Sequence, residues 1–136
     1  VNLKGVFLCT KAAVEIMLPT HSGKIINMAS ISAIRGGRGQ TNYASSKGGL
    51  IAFARACAVE VGGKGIQVNA VLPGVIVTEM SSGIRQVASK TILERISAKR
   101  FGKPSEVANL VVFLASDKAN YITGQSIAVD GGLSIS

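Results

Sequence analysis

Apolar residues recur along this chain with two periods, and the switches between them lay out its elements. Between Val1 and Leu18 a helical stripe runs through Leu3, Val6, Phe7 and Met17, with Lys4, Lys11 and Glu15 elsewhere, and Pro19 closes the segment. After the turn His21-Ser22-Gly23, the run from Lys24 to Ala29 reads as a strand buried on both faces, as a central parallel strand would be. From Tyr43 to about Val61 the chain is helical again. Leu50, Ile51, Phe53, Cys57, Val59 and Val61 go nearly all the way round, and only Arg55 and Glu60 are charged beyond Lys47. A helix apolar on every side is covered on both, here by a sheet and by a second subunit. Gly62-Gly63-Lys64-Gly65 stops it, and Ile66 to Leu72 reads as the next strand. Strand, helix and strand with this connection length predict a right-handed βαβ unit.

The remaining segments continue the alternation. Pro73-Gly74 ends the second strand. Residues 79–99 put Ile84, Val87, Ala88, Ile92 and Ile96 on one helical face, with little else to hold them rigid. Pro104 near a helix start, Glu106 in its first turn, and Val107, Leu110, Val111 and Leu114 along it make a last helix. Tyr121 to Gly124 is a loop, Ser126 to Val129 a final strand, and Asp130-Gly131-Gly132 its turn. The order predicts an α/β fold, a parallel sheet flanked by helices.

Composition narrows the function classes. A chain of 136 residues with 47% apolar content is one domain's worth of well-buried globular sequence. No stretch approaches the eighteen or so uninterrupted apolar residues of a membrane span, and no charged-then-apolar leader opens the sequence, so a soluble, cytosolic protein without membrane contact is expected. Cys9 and Cys57 are too few and too separated for a metal site or a disulfide framework, and both read as reduced core thiols. His21, the only histidine, sits in a polar turn and reads as a surface residue. The net charge of +8 invites a nucleic-acid reading, but the basic residues are scattered from Lys4 to Lys118. Only Lys99, Arg100 and Lys103 cluster, and no aromatic residues interleave with them. A solvated basic surface or an anionic ligand, such as a phosphate-bearing cofactor or an acidic carrier protein, accounts for the charge instead.

The candidate chemistry lies in Thr41-Asn42-Tyr43-Ala44-Ser45-Ser46-Lys47, with Ser30 thirteen positions before the tyrosine. A tyrosine and a lysine four apart at a helix start share one face. A nearby ammonium favours the phenolate and brings a phenol toward usefulness as an acid-base group at neutral pH. Ser30, at the carboxyl end of the first strand where open α/β sheets place ligands, can hydrogen-bond a carbonyl oxygen that takes the phenol's proton. By themselves a tyrosine and a lysine at this spacing are also an ordinary solvated helix face, and Ser32 is a rival for Ser30. Gly36-Gly37-Arg38-Gly39 lacks the first-strand setting of a dinucleotide fingerprint and reads as a flexible active-site loop. Pro73-Gly74 is an ordinary strand-ending turn or a place where backbone comes close to a flat ring.

The order strand, Ser30, glycine-rich loop, Tyr43-x-x-x-Lys47, helix, strand, Pro73-Gly74 resembles the short-chain dehydrogenase/reductase family along essentially the whole chain, most of all the bacterial 3-oxoacyl-carrier-protein reductases and the sugar and alcohol dehydrogenases near them. The resemblance implies a doubly wound, Rossmann-like sheet and hydride transfer between NAD or NADP and a carbonyl or alcohol. The favoured substrate is a 3-oxoacyl thioester on a carrier protein. It implies Tyr43 as acid-base and Lys47 as the group that tunes it and binds the nicotinamide ribose. Ser30 orients the carbonyl, and Asn2 holds a water in the proton relay, although an asparagine is also common in a helix's first turns. The loop carrying Pro73, Gly74, Ile76 and Thr78 holds the nicotinamide, with Ile76 offering backbone groups and Thr78 its hydroxyl. Residues 79–99 correspond to a mobile substrate lid. Of the basic positions expected to dock the carrier, Lys64 matches and His21 replaces another. Residues 1–136 are expected to be the C-terminal catalytic part of one domain, the dinucleotide-binding half lying outside them, so that NAD against NADP is left open. A homodimer or homotetramer is expected. The alternative of another class is an inactive or partner-binding half that keeps these residues without the cofactor.

Overall fold

Ile66, Val68, Ala70 and Leu72 on one face and Asn69 and Val71 on the other are all 1% exposed or less, which makes Ile66–Pro73 the axis of the structure. Such a run has no polar face and is stable only with both sides covered. In the computed structural model, which describes residues 1–136 apart from the side chains of Ile84 and Ala88, this strand (β2) lies between β1 (Gly23–Met28) and β3 (Ser126–Val129) in a three-stranded, wholly parallel sheet. Lys24 pairs with Gln67 and Met28 with Val71; Ala70 pairs with Ser126 and Pro73 with Val129.

Helices cover both faces of this sheet, the doubly wound arrangement. On one face lie α1 (Lys4–Met17) and α3 (Thr41–Val61). Leu50, Ile51, Ala54, Ala58 and Val61 of α3 pack there against Ile25, Val68 and Leu72, with Val6 and Val14 of α1 at the margin. On the other face α5 (Pro104–Ala115) brings Val107 and Leu114 onto Val71, Ile26 and Ile127. Full burial of each such side chain contributes roughly 1.5–3 kcal/mol.

β1 is not flanked on both sides among the described residues: it stands at the edge of the described sheet, and Met28 is 41% exposed. Ile25 and Asn27 face the well-covered side, whereas Lys24, Ile26 and Met28 face the side of α5, where Lys24 Nζ also donates to Asn120 Oδ1. Cys9 is not the core residue expected. It lies exposed on α1, and Cys57 is half-buried in the groove between α1 and α3; both thiols are free.

The segment expected to carry a mobile lid contains a 14-residue helix, α4 (Ser82–Arg95). Ile92 packs onto the core and Ile96 just beyond the helix is 1% exposed, while Val87 is 90% exposed. The side chains of Ile84 and Ala88, the other two members of the expected face, lie outside the described ones. A four-residue helix, α2 (Ser32–Arg35), unforeseen from the sequence, follows β1 and is closed by Gly36 at φ +71°. His21 is exposed as expected, in a left-handed turn that packs against Gly65. No described helix is long and apolar enough to cross a membrane.

Candidate active site

The carboxyl end of β1 and the first turns of α3 meet through a lysine. Lys47 Nζ donates to the carbonyl oxygen of Met28 at 2.8 Å, so the ammonium is fixed over the last residue of the strand. Tyr43 stands one helical turn before it, with Lys47 Nζ 5.8 Å from the centre of the tyrosine ring, within cation–π range. Tyr43 is 40% exposed. Burial of the half-buried Lys47 lowers its pKa below the ordinary lysine value of 10.5.

Ser30 lies two residues beyond Met28 and is 9% exposed. Its Oγ accepts the Ser32 backbone N–H at 3.2 Å, and the Ile31 N–H bonds the Pro73 carbonyl, which ties the Ser30 loop to the end of β2. As an acceptor in the first of these bonds, the Ser30 hydroxyl keeps its own proton to donate. Ser30, Ser32 and Gly74 line one cavity of about 590 Å³ together with Gln40, Ile92 and Leu133. Gly36, Gly37 and Arg38, the loop expected at the active site, form part of its wall. The geometry does not separate Ser30 from its rival Ser32 by access, since both reach the cavity; Ser30 is the one nearer the Lys47 anchor in sequence.

The loop after β2 is held from two directions. A Cβ on Gly74 would come 2.7 Å from the Asp130 Cα, so the missing side chain has a reason within the chain itself, the close approach of the turn after β3. The Gly74 N–H bonds the Val129 carbonyl at 2.9 Å. Asp130 in turn accepts the N–H groups of Gly132 at 2.9 Å and Ser134 at 2.7 Å. Burial pushes its carboxyl pKa up, but these hydrogen bonds outweigh it and leave the value below the ordinary one. Pro73 is the residue that ends β2 beside Val129, half-buried and outside the cavity wall.

Ile76 and Thr78 are organised by a residue the sequence reading passed over, Ser81. Its Oγ donates to the Ile76 carbonyl at 2.6 Å, accepts the Thr78 N–H at 3.1 Å and accepts Arg85 Nε at 3.0 Å. Its place directly ahead of α4 reads as a helix cap, but its Oγ makes no cap bond and serves the preceding loop instead. Ile76 also bridges Gly102 in a short parallel pairing. Asn2 is exposed in the turn leading into α1, and the neighbouring Leu3 packs on Gly49 of α3, two residues past Lys47. The structure thus puts Ser30 and Gly74 on one cavity wall and ties Lys47, with Tyr43 beside it, to the last residue of β1, whereas Tyr43, Lys47, Asn2, Ile76 and Thr78 are not among the residues that line that cavity. No three His, Cys, Asp or Glu side chains group as metal ligands among the described residues.

Comparison with known proteins bears on the family. Residues 1–134 match the sequence model of a family described as enoyl-(acyl carrier protein) reductase. The chain is 50% identical over 135 residues to a 3-oxoacyl-[acyl-carrier-protein] reductase of Thermotoga maritima, covering 99% of this chain and 55% of that protein. It is 48% identical over 132 residues to the protein of that name from Staphylococcus epidermidis, with 97% and 54% covered. Among solved structures, levodione reductase superposes with a TM-score of 0.95 at 37% identity, covering 100% of this chain and 56% of the other. An Agrobacterium tumefaciens protein assigned as a 2-deoxy-d-gluconate 3-dehydrogenase and crystallised with NADP superposes at 0.96 and 39% identity, again over 100% and 56%. The chain spans about half the length of the curated relatives it matches. With a parallel sheet flanked by helices and a family match over nearly its full length, the chain belongs to the short-chain dehydrogenase/reductase family.

Proposed function

We propose that this chain supplies the catalytic part of an NAD(P)-dependent oxidoreductase that reduces a carbonyl or oxidises the matching alcohol. The observation that carries the reading is the ammonium of Lys47, held on the Met28 carbonyl and against the Tyr43 ring, at the strand end where Ser30 opens into a cavity. The nicotinamide cofactor, when bound, supplies or accepts the hydride. Everything else falls to the chain. Ser30 hydrogen-bonds the substrate oxygen through its hydroxyl, keeping its proton, and orients the carbonyl. Tyr43 gives its proton to that oxygen as the carbonyl carbon is reduced, and the Lys47 charge stabilises the negative oxygen left on the ring. Asn2, at the approach to α3, positions a water that returns the proton.

The residues present fit the nicotinamide end of such a cofactor. Lys47 carries donors beyond the one used on Met28, and the Pro73–Thr78 loop is pinned at Gly74, Ile76 and Thr78 by Asp130, Gly102 and Ser81. A pinned loop presents backbone groups at fixed positions, as a planar carboxamide requires.

The favoured substrate is a 3-oxoacyl thioester on a carrier protein, supported by the relatives that bear that name. Lys64 and His21, the basic positions expected to meet the carrier, sit before β2 and β1, at the end of the sheet opposite Ser30. Strands of six to eight residues rise roughly 20 Å or more, so a carrier docked there reaches Ser30 only through a long, extended arm or from a neighbouring subunit. The second reading, a sugar or cyclic-alcohol dehydrogenase, is favoured by the structural likeness to levodione reductase and the deoxygluconate dehydrogenase. The test is a rate comparison on the purified enzyme carrying this sequence. Oxidation of NADPH or NADH with acetoacetyl-carrier protein, faster than with sugar lactones or cyclic diketones, supports the first reading; the reverse order supports the second. A subunit interface formed by α1 and α3, and a cytoplasmic location, belong to the same proposal.

A further inference from the structure

Among the described residues, the cavity that holds Ser30 is lined by three arginines, Arg35, Arg38 and Arg95, and by no carboxylate. They come from separate places: the end of α2, the loop after it, and the last residue of α4. None of the three is ion-paired among the described residues, where the single salt bridge joins Arg100 to Glu106. Arg35 is half-buried and Arg38 and Arg95 are exposed, and guanidinium groups lining one cavity repel each other unless water or an anion lies among them. A cleft lined by one sign of charge also concentrates ligands of the opposite sign. A planar guanidinium matches carboxylate and phosphate oxygens two at a time, a geometry a lysine lacks.

We infer that the substrate of this site carries an anionic oxygen group, a carboxylate or a phosphate, away from the reacting carbonyl, and that Arg35, Arg38 and Arg95 select it. This rests on the oxidoreductase reading above and adds the substrate's charge to it. Selection acts in the bound complex: Ser30 takes the carbonyl oxygen while the arginines hold the anion, so the two ends fix the substrate's direction in the cavity. Gln40, also on the wall, offers a neutral amide to the same group.

The test pairs substrates that differ only in charge, on the purified enzyme carrying this sequence. A 3-oxo acid against its methyl ester probes a carboxylate; acetoacetyl-pantetheine 4′-phosphate against acetoacetyl-pantetheine probes a phosphate. In at least one pair the anionic member should show kcat/KM about tenfold or more above the neutral one, the scale of one charge-assisted hydrogen bond. That ratio should fall toward one in Arg35→Gln/Arg95→Gln, mainly through KM, and stay unchanged in Arg55→Gln, an exposed position on α3 outside the cavity. The pair that discriminates names the source of the anion. Equal kcat/KM within both pairs, or a ratio that survives the double substitution, overturns the inference. If no substrate is turned over at all, the oxidoreductase reading fails separately. Calorimetric titration of acetoacetate and of pantetheine 4′-phosphate into the same protein and the double variant then decides the anion site: binding lost in the variant supports it, and no binding to either protein overturns it.

Discussion

Lys47 combines two demands that pull against each other, partial burial and a charge that has to persist. Its bond to the Met28 carbonyl stabilises the ammonium, while desolvation lowers its pKa. The group therefore loses its proton at a lower pH than an ordinary lysine, and the alkaline limb of turnover should fall below pH 10.5. For stability the sign is the same: between the folded and unfolded values the unfolded chain binds more protons, so the destabilising contribution of the buried charge fades as pH rises through the folded value. Replacing Lys47 with arginine, which keeps its proton, should move the alkaline limb upward, and a pH–rate profile of wild type and Lys47→Arg reads it. Lys47→Met should lower turnover by about two to four orders of magnitude with the fold retained, since a lysine stem and a methionine fill similar space. An alkaline limb that stays in place in Lys47→Arg would assign it to another group.

At the scale of elements, α5 shows how a short motif is read. Glu106 accepts the Lys103 N–H at 2.8 Å and pairs with both terminal nitrogens of Arg100. The Arg100 hydrogen bond first, and then the Lys103 backbone, lower its pKa to about 2. The stabilisation is thus complete above the ordinary carboxylate value and disappears as pH falls through about 2. Carbon-13 titration of the Glu106 carboxyl should show that low midpoint, and Arg100→Gln should raise it. The turn before β2 is more brittle: Gly65 has φ +73° and a Cβ there would overlap the His21 carbonyl. Gly65→Ala should lower stability by at least about 1 kcal/mol in denaturant unfolding, and Leu50→Ala, which empties a fully buried position on α3, by about 2–5 kcal/mol.

The elements themselves were legible because their patterns are local. The strands read from Ile66 and Ser126 and the helices read from Tyr43 and Pro104 lie within two residues of the observed ones. The sequence reading of α3 as apolar all round was correct in composition but blurred the packing: Leu50, Ile51, Ala54, Ala58 and Val61 form a buried stripe, while Val59 is 86% exposed. What stayed hidden depends on distant partners. That Lys47 reaches Met28, that Gly74 abuts Asp130, and that Arg95 joins Arg35 around one cavity are contacts between segments 19 to 60 residues apart. No period or spacing encodes them.

At the scale of the whole molecule, the outer side of α3 with α1 forms a groove of about 400 Å³ lined by Phe7, Val14, Phe53 and Cys57, where the rings of Phe7 and Phe53 meet at 5.6 Å. Nearby, Leu8 is 52% and Ile16 is 76% exposed. An apolar surface of this extent on two adjacent helices predicts self-association through them, and Phe53→Glu should shift a dimer or tetramer toward monomer in light scattering at micromolar concentration. Expressed as these 136 residues alone, the chain should aggregate through the open edge of β1 and show no heat of binding with NADPH. The claim on which these scales converge is that Tyr43 transfers the proton in a hydride-transfer reaction. The most direct measurement is turnover of Tyr43→Phe at saturating substrate and cofactor in the enzyme carrying this sequence, with circular dichroism as the check on folding. The substitution keeps the ring over Lys47 and removes only the hydroxyl, so kcat should fall by several orders of magnitude while the spectrum is unchanged. A folded Tyr43→Phe enzyme with a near-normal kcat would contradict the account.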